Sequence, residues 1–216
     1  ADGFVHDGEA GGESDGTTRN EPASRLPPDS FVSYIQNHDQ IGNRPDSRRL
    51  PDRISANKLD FLHFVMMLAP QIPLFFMGEE AHLGSPFPFF IDLPEQAAAA
   101  KRADRYQQMH EIFNEDVEQG GLLEPNSIAT FRSAKLPWSE FDQEERRNAL
   151  QRFQTLARYR RELVWPLLAS VCLNAKSKRQ DSAVVVNWIF EKGTLTMALN
   201  PSDHPADIAC VITAPP

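Results

Sequence analysis

Apolar and polar positions alternate between three patterns along the chain, and each pattern predicts a different kind of element. From Ala1 to Ser30 the sequence is rich in Gly, Asp, Glu, Ser and Pro with almost no periodic apolar residues, which predicts an extended lead-in unable to fold alone. At Phe31 a short β-rich run begins, Phe-Val-Ser-Tyr-Ile-Gln-Asn, bounded by Pro-Pro-Asp-Ser before it and by polar residues after it. It reads as a strand ending at Asn37-His38-Asp39. Ser55 is placed to cap a helix through Ala69 that is apolar nearly all round, and Pro70 stops it. Pro73 to Met77 is then a continuous apolar run closing on Gly78-Glu79-Glu80, the pattern of a strand buried on both faces. Strand, helix and strand in this order predict a βαβ unit with parallel strands.

Further along, Ala81 to Pro94 is Pro- and Phe-rich and reads as a loop, and four alanines seed a helix from about Glu95 to Phe113. A second irregular stretch runs to Phe141. Asp142 with Glu145 has the spacing of a capping box, and the apolar positions from Leu150 to Val164 recur at helical spacing up to Pro166. Beyond Pro166 the pattern becomes that of strands: Ser170 to Asn174, Ala183 to Phe190, Thr194 to Asn200 and Ile208 to Thr213, separated by turns such as Glu191-Lys192-Gly193. The predicted class is α/β plus all-β. A lead-in at 1–30 precedes an α/β part at 31–165 and a small antiparallel sheet or sandwich at 166–216.

Composition narrows the function classes. The chain has 216 residues, 41% of them apolar, a net charge of −8 and a pI near 5.3. Without a Lys/Arg stripe it lacks the footprint of a phosphate-backbone binder, so no nucleic-acid partner is expected. The longest apolar stretch, Phe61 to Pro70, is broken by His63 and too short to span a bilayer, and no export signal opens the chain; neither membrane association nor export is expected. The only cysteines are Cys172 and Cys210, without a CxxC, and the six histidines are scattered, so no metal site is expected. Two buried thiols are the expectation for the cysteines, with a disulfide between them the lesser one.

In a parallel α/β sheet the loops after the C-terminal strand ends carry the chemistry. Two polar clusters qualify: Asn37-His38-Asp39-Gln40 after the first strand and Gly78-Glu79-Glu80 after the second. On spacing alone Asp39 and Glu79 are candidates for the acid and nucleophile pair of a glycosidase. Equally, Asp39 suits a capped turn or salt bridge, and Glu79 with Glu80 suits an ion-paired rim.

The run Phe31-Val32-Ser33-Tyr34-Ile35-Gln36-Asn37-His38-Asp39 resembles the fourth signature region of the α-amylase superfamily, in which an apolar seventh barrel strand ends in Asn-His-Asp. Gln40-Ile41-Gly42-Asn43-Arg44 and Leu74 to Glu80 resemble its trehalohydrolase branch. Gly3-Phe4-Val5, Pro27-Pro28 and Thr130 to Leu136 extend that likeness over nearly the whole chain. The resemblance implies the C-terminal portion of a (β/α)8 barrel, its last two strands, followed by the β domain. It implies an α-glucan hydrolase releasing trehalose from maltooligosyl trehalose in the cytoplasm, with no cofactor and a maltooligosaccharide-type substrate. A branching enzyme of the same superfamily and a non-catalytic sugar-binding or scaffold fragment are the alternatives.

By the same resemblance Asp39 is the third catalytic carboxylate, the transition-state stabiliser, and His38, Asp39, Gln40, Ile41, Gly42 and Asn43 form the substrate-binding segment. Gly42 is expected to let sugar approach the backbone. Phe87, Phe89 and Phe90 are expected to pack within their loop, leaving Trp138 as the stacking candidate. No segment before Phe31 resembles the strands that carry the family's nucleophile and acid, and a full barrel takes about 250 residues. The chain is therefore expected to be an inactive fragment that self-associates through exposed barrel edges.

Overall fold

The computed structural model describes residues 26–113 and 123–208. The lead-in up to residue 25, Gly3-Phe4-Val5, Cys210 and nearly all of the run from Ile208 to Thr213 lie outside the described residues. In chain order the elements are β1 (Val32–Ser33), α1 (His38–Gly42), α2 (Ala56–Leu68), β2 (Ile72–Pro73), α3 (Glu95–Phe113), α4 (Ile128–Ser133), α5 (Glu144–Tyr159), α6 (Trp165–Leu168), β3 (Cys172–Gln180), β4 (Ala183–Phe190) and β5 (Gly193–Leu199). No helix among the described residues is long and apolar enough to cross a membrane. The chain divides into two compact units, one drawn from residues 1–33, 64–74 and 155–216 and the other from 34–63 and 75–154.

In the first unit β1 and β2 pair in parallel, with Val32 opposite Ile72 and Ser33 opposite Pro73. Ile72 donates to Phe31 O and Leu74 to Ser33 O, both at 2.9 Å. The ladder is shorter than the apolar runs predict, two residues per strand rather than reaching Asn37 and Met77. Pro73 has no N–H to donate, and the run expected to be buried on both faces is not: Leu74 and Met77 are exposed.

The same unit holds the antiparallel sheet, ordered β3-β4-β5. Trp188 and Phe190 of central β4 and Met197 of β5 form its core, with Val65, Leu68, Leu167, Leu168 and Val186 packed on them. β3 runs six residues past the predicted Asn174, through Lys176-Ser177-Lys178-Arg179. Composition alone makes that stretch a loop. As an edge strand it pairs its backbone with β4 while charged side chains face water and deter a second partner. Gly193 opens β5 at φ 153, a backbone conformation that suits glycine.

Helix α5 begins at Glu144 rather than at a box capped by Asp142, which instead closes a 3-10 turn over Trp138–Asp142. Nor does the helical path stop before Pro166. It widens into a π turn at Arg160–Val164 and continues as α6, with Pro166 in the first turn. A wider turn relieves both the missing N–H and the ring clash that proline brings to a regular helix.

Candidate functional site

The second unit holds both polar clusters. Asn37 is extended, and its side-chain oxygen accepts from Asp39 N at 2.7 Å. In return Asn37 N donates to Gln40 Oε1 at 3.0 Å, which completes a capping box on α1. The Asn-His-Asp sequence is thus the start of a short helix rather than a strand end. Its polar residues carry the reason, since Asn at the cap and Gln three positions later satisfy the first free N–H groups. Cap and first turn set the backbone of Asp39 and leave its carboxylate in solvent. His38 Nε2 lies 3.4 Å from Asp39 Oδ1, with side chains 67% and 59% exposed.

The six residues of the predicted substrate segment divide by exposure. His38, Asp39, Gln40 and Asn43 are exposed, whereas Ile41 and Gly42 are buried. A Cβ on Gly42 would sit 3.3 Å from Phe87 O and 3.5 Å from Phe89 N. In this structure the close approach that the glycine allows is that of the Phe87–Phe89 backbone. Arg105 of α3 fastens the end of this segment: Nη2 donates to Gly42 O, Nη1 to Asn43 Oδ1 at 3.3 Å, and the guanidinium lies 4.7 Å from the centre of the Phe89 ring. Burial holds the Arg105 pKa below its usual value.

Glu79 is neither a rim ion pair nor a partner for Asp39 in chemistry. It is fully buried. Oε2 accepts from Gln36 Nε2 and from Phe76 N, each at 3.2 Å, and Oε1 faces His63 Nε2 at 3.3 Å. With no exposed surface, the group cannot reach a substrate. Gly78, at φ 85, makes the left-handed turn that directs Glu79 inward.

Around Glu79 lies a polar interior that the sequence did not announce. His63 meets His82 edge-on at 5.2 Å between ring centres, and His82 Nε2 lies 3.3 Å from Asp60 Oδ1. Burial, and then the neighbouring His63, lowers the His82 pKa from 6.5 to about 4 against the opposing pull of Asp60. Arg152 Nε reaches Asp60 Oδ2 at 2.9 Å, and Arg146 donates to His82 O. Arg49, fully buried, donates to Ser85 O at 2.5 Å and Met77 O at 2.7 Å, with its guanidinium 4.9 Å from the centre of the Phe76 ring. Burial lowers its pKa, opposed by Glu79, Glu80 and Asp52. No spacing rule marks these residues, because their partners are far away in sequence.

The aromatic residues sort as packing and surface. Phe87 meets Phe76 at 4.9 Å and Phe90 at 5.8 Å, and Phe90 meets Phe131 at 5.2 Å, all edge-on. Trp138 is 73% exposed and stacks on Phe141 at 5.4 Å with 21° between the rings. Among the described residues no group of three or more His, Cys, Asp and Glu side chains is placed to hold a metal ion, and Cys172 is a free thiol.

No protein-family model matches the chain. It is 34% identical over 147 residues to the malto-oligosyltrehalose trehalohydrolase of Deinococcus radiodurans, a match covering 67% of this chain and 24% of that protein. With the malto-oligosyltrehalose trehalohydrolase of Rhizobium sp. strain M-11 it shares 28% identity over 214 residues, covering 96% of this chain and 34% of the relative. A solved structure of an alpha amylase from Salmonella typhimurium superposes with a TM-score of 0.83 at 33% identity, covering 97% of this chain and 36% of that one. The chain spans about a quarter to a third of the length of these curated relatives.

Proposed function

Taking the chain as a relative of part of the malto-oligosyltrehalose trehalohydrolases, within the α-amylase superfamily, we propose that it is the portion of an α-glucan hydrolase that contributes Asp39 to the reacting centre. The single observation that carries this reading is the solvent-facing Asp39 carboxylate on a capped first turn, with His38 beside it. Cleavage of a glycosidic bond passes through an oxocarbenium-like state, with positive charge at the anomeric carbon. A carboxylate whose backbone is already fixed accepts hydrogen bonds from the adjoining sugar hydroxyls, and these strengthen as that charge develops. His38 hydrogen-bonds the same sugar, and Gln40 and Asn43 supply further polar contacts. Ile41 and Gly42 serve the segment from beneath, through packing and through the carbonyl held by Arg105.

In this reading residues 31–165 belong to the catalytic part and 166–216 to a β domain. The nucleophile and the general acid come from sequence that this chain does not match, so the 216 residues alone turn over no substrate. The substrate is a maltooligosyl trehalose, the product trehalose, the compartment the cytoplasm, and no cofactor takes part. Apolar side chains exposed in and next to the short parallel pair, Val32, Ile72 and Leu74, favour self-association of the isolated chain.

The test is product analysis with the complete natural polypeptide that carries this sequence. Incubated with maltooligosyl trehalose it should release free trehalose and leave the glucan unbranched. New branch points without trehalose would assign it instead to chain transfer.

A further inference from the structure

We infer that Gln36, gripped by the buried Glu79 carboxylate, is the positioning residue for Asp39; the inference rests on the reading of Asp39 as the transition-state carboxylate. Gln36 is 2% exposed and is the residue immediately before the Asn37 cap. Its amide is held at both ends: Nε2 donates to Glu79 Oε2 at 3.2 Å, and Oε1 accepts from Leu50 N at 3.1 Å. Glu79 Oε2 in turn accepts from Phe76 N at 3.2 Å, and His63 Nε2 lies 3.3 Å from Oε1. From the immobilised Gln36 the chain passes through one peptide unit to Asn37, whose side chain holds Asp39 N at 2.7 Å. Three segments distant in sequence, around residues 36, 50 and 79, therefore converge to orient the turn that presents Asp39.

Stability alone does not account for this arrangement. Burying a carboxylate costs several kcal/mol even when it is paired, and apolar side chains of the same volume commonly hold an interior as well or better. A carboxylate and an amide fix direction as apolar packing does not, and a transition-state contact is sensitive to small displacements: about 1 Å costs on the order of 100-fold in rate. Glu79 has no exposed surface from which to act on a sugar itself. Its reach to the chemistry is through Gln36.

The experiment is a double-mutant cycle in the complete natural polypeptide, following trehalose release from maltooligosyl trehalose for Gln36→Leu, Asp39→Asn and the combination. Gln36→Leu should lower kcat by about 10- to 100-fold with KM within about 3-fold, and should add little to the loss caused by Asp39→Asn. Glu79→Gln, which keeps an acceptor for Gln36 and for Phe76 N, should restore most of the turnover that Glu79→Leu loses. Should Gln36→Leu fail to fold, Gln36→Asn keeps an amide in place but falls one methylene short of Glu79, and the same kcat loss is expected. Wild-type kcat in a folded Gln36 variant, or a full additive loss on Asp39→Asn, overturns the inference while leaving Asp39 in its role. Near-wild-type turnover of Asp39→Asn alone overturns the reading of Asp39, and the inference falls with it.

Discussion

His82 combines three unusual properties: it is buried, it has a left-handed backbone at φ 54, and its pKa is lowered to about 4. The groups facing it are His63, Asp60, Arg146 and Arg152. A histidine whose folded pKa lies below its free value is neutral in the folded protein while the unfolded chain takes up a proton. Its contribution is fully present above pH 6.5 and is lost as the pH falls from 6.5 toward 4, by on the order of 2 kcal/mol. His82→Asn removes the titration and suits the left-handed backbone. Thermal melts from pH 7 to pH 4 should therefore show a steeper loss of Tm in the wild type than in the variant; equal slopes would refute the assignment. At this scale the polar pair His38 and Asp39 stood out in the sequence, but the cap that Asn37 and Gln40 build beneath it was read as a strand end. The burial of Glu79 was not, since a carboxylate after an apolar run reads equally well as rim or interior until its partners Gln36 and His63 are placed.

Among the elements, the end of α2 shows what tertiary partners add to local signals. Pro70 and the apolar run predict where the helix stops, and it ends at Leu68. The carbonyls beyond its last turns need donors. Arg160, in the π turn after α5, supplies them: Nη1 donates to Met67 O at 2.8 Å and Ala69 O at 2.6 Å, and Nη2 to Gln71 O at 2.7 Å. Burial lowers its pKa, and its guanidinium donates to three carbonyls. Arg160→Met keeps the stem but strands these carbonyls, and should cost about 2–4 kcal/mol by chemical denaturation. A change below about 0.5 kcal/mol would remove Arg160 from this role. Nothing in the sequence around Arg160-Arg161 distinguishes the buried arginine from its neighbour, because the distinction lies in a segment about ninety residues away. The β4 and β5 strands were legible from their apolar runs and the turn at Gly193, whereas the second half of β3 was not, because Lys176 to Arg179 has no apolar alternation.

For the whole molecule, the relevant fact is that this chain spans a quarter to a third of its curated relatives. Among the described residues the parallel pair has two residues per strand, and Val32, Ile72 and Leu74 are exposed. Exposed strand edges with apolar flanks favour association. The isolated 216-residue chain should therefore scatter light as dimers or larger species at micromolar concentration; a monodisperse monomer would contradict that expectation. Whether Asp39 serves the hydrolysis of an α-glucan is decided by turnover of the complete natural polypeptide with Asp39→Asn. A transition-state role for Asp39 requires a fall in kcat of at least about 100-fold on maltooligosyl trehalose with the melting temperature retained. A folded Asp39→Asn protein releasing trehalose at near the wild-type rate would contradict it.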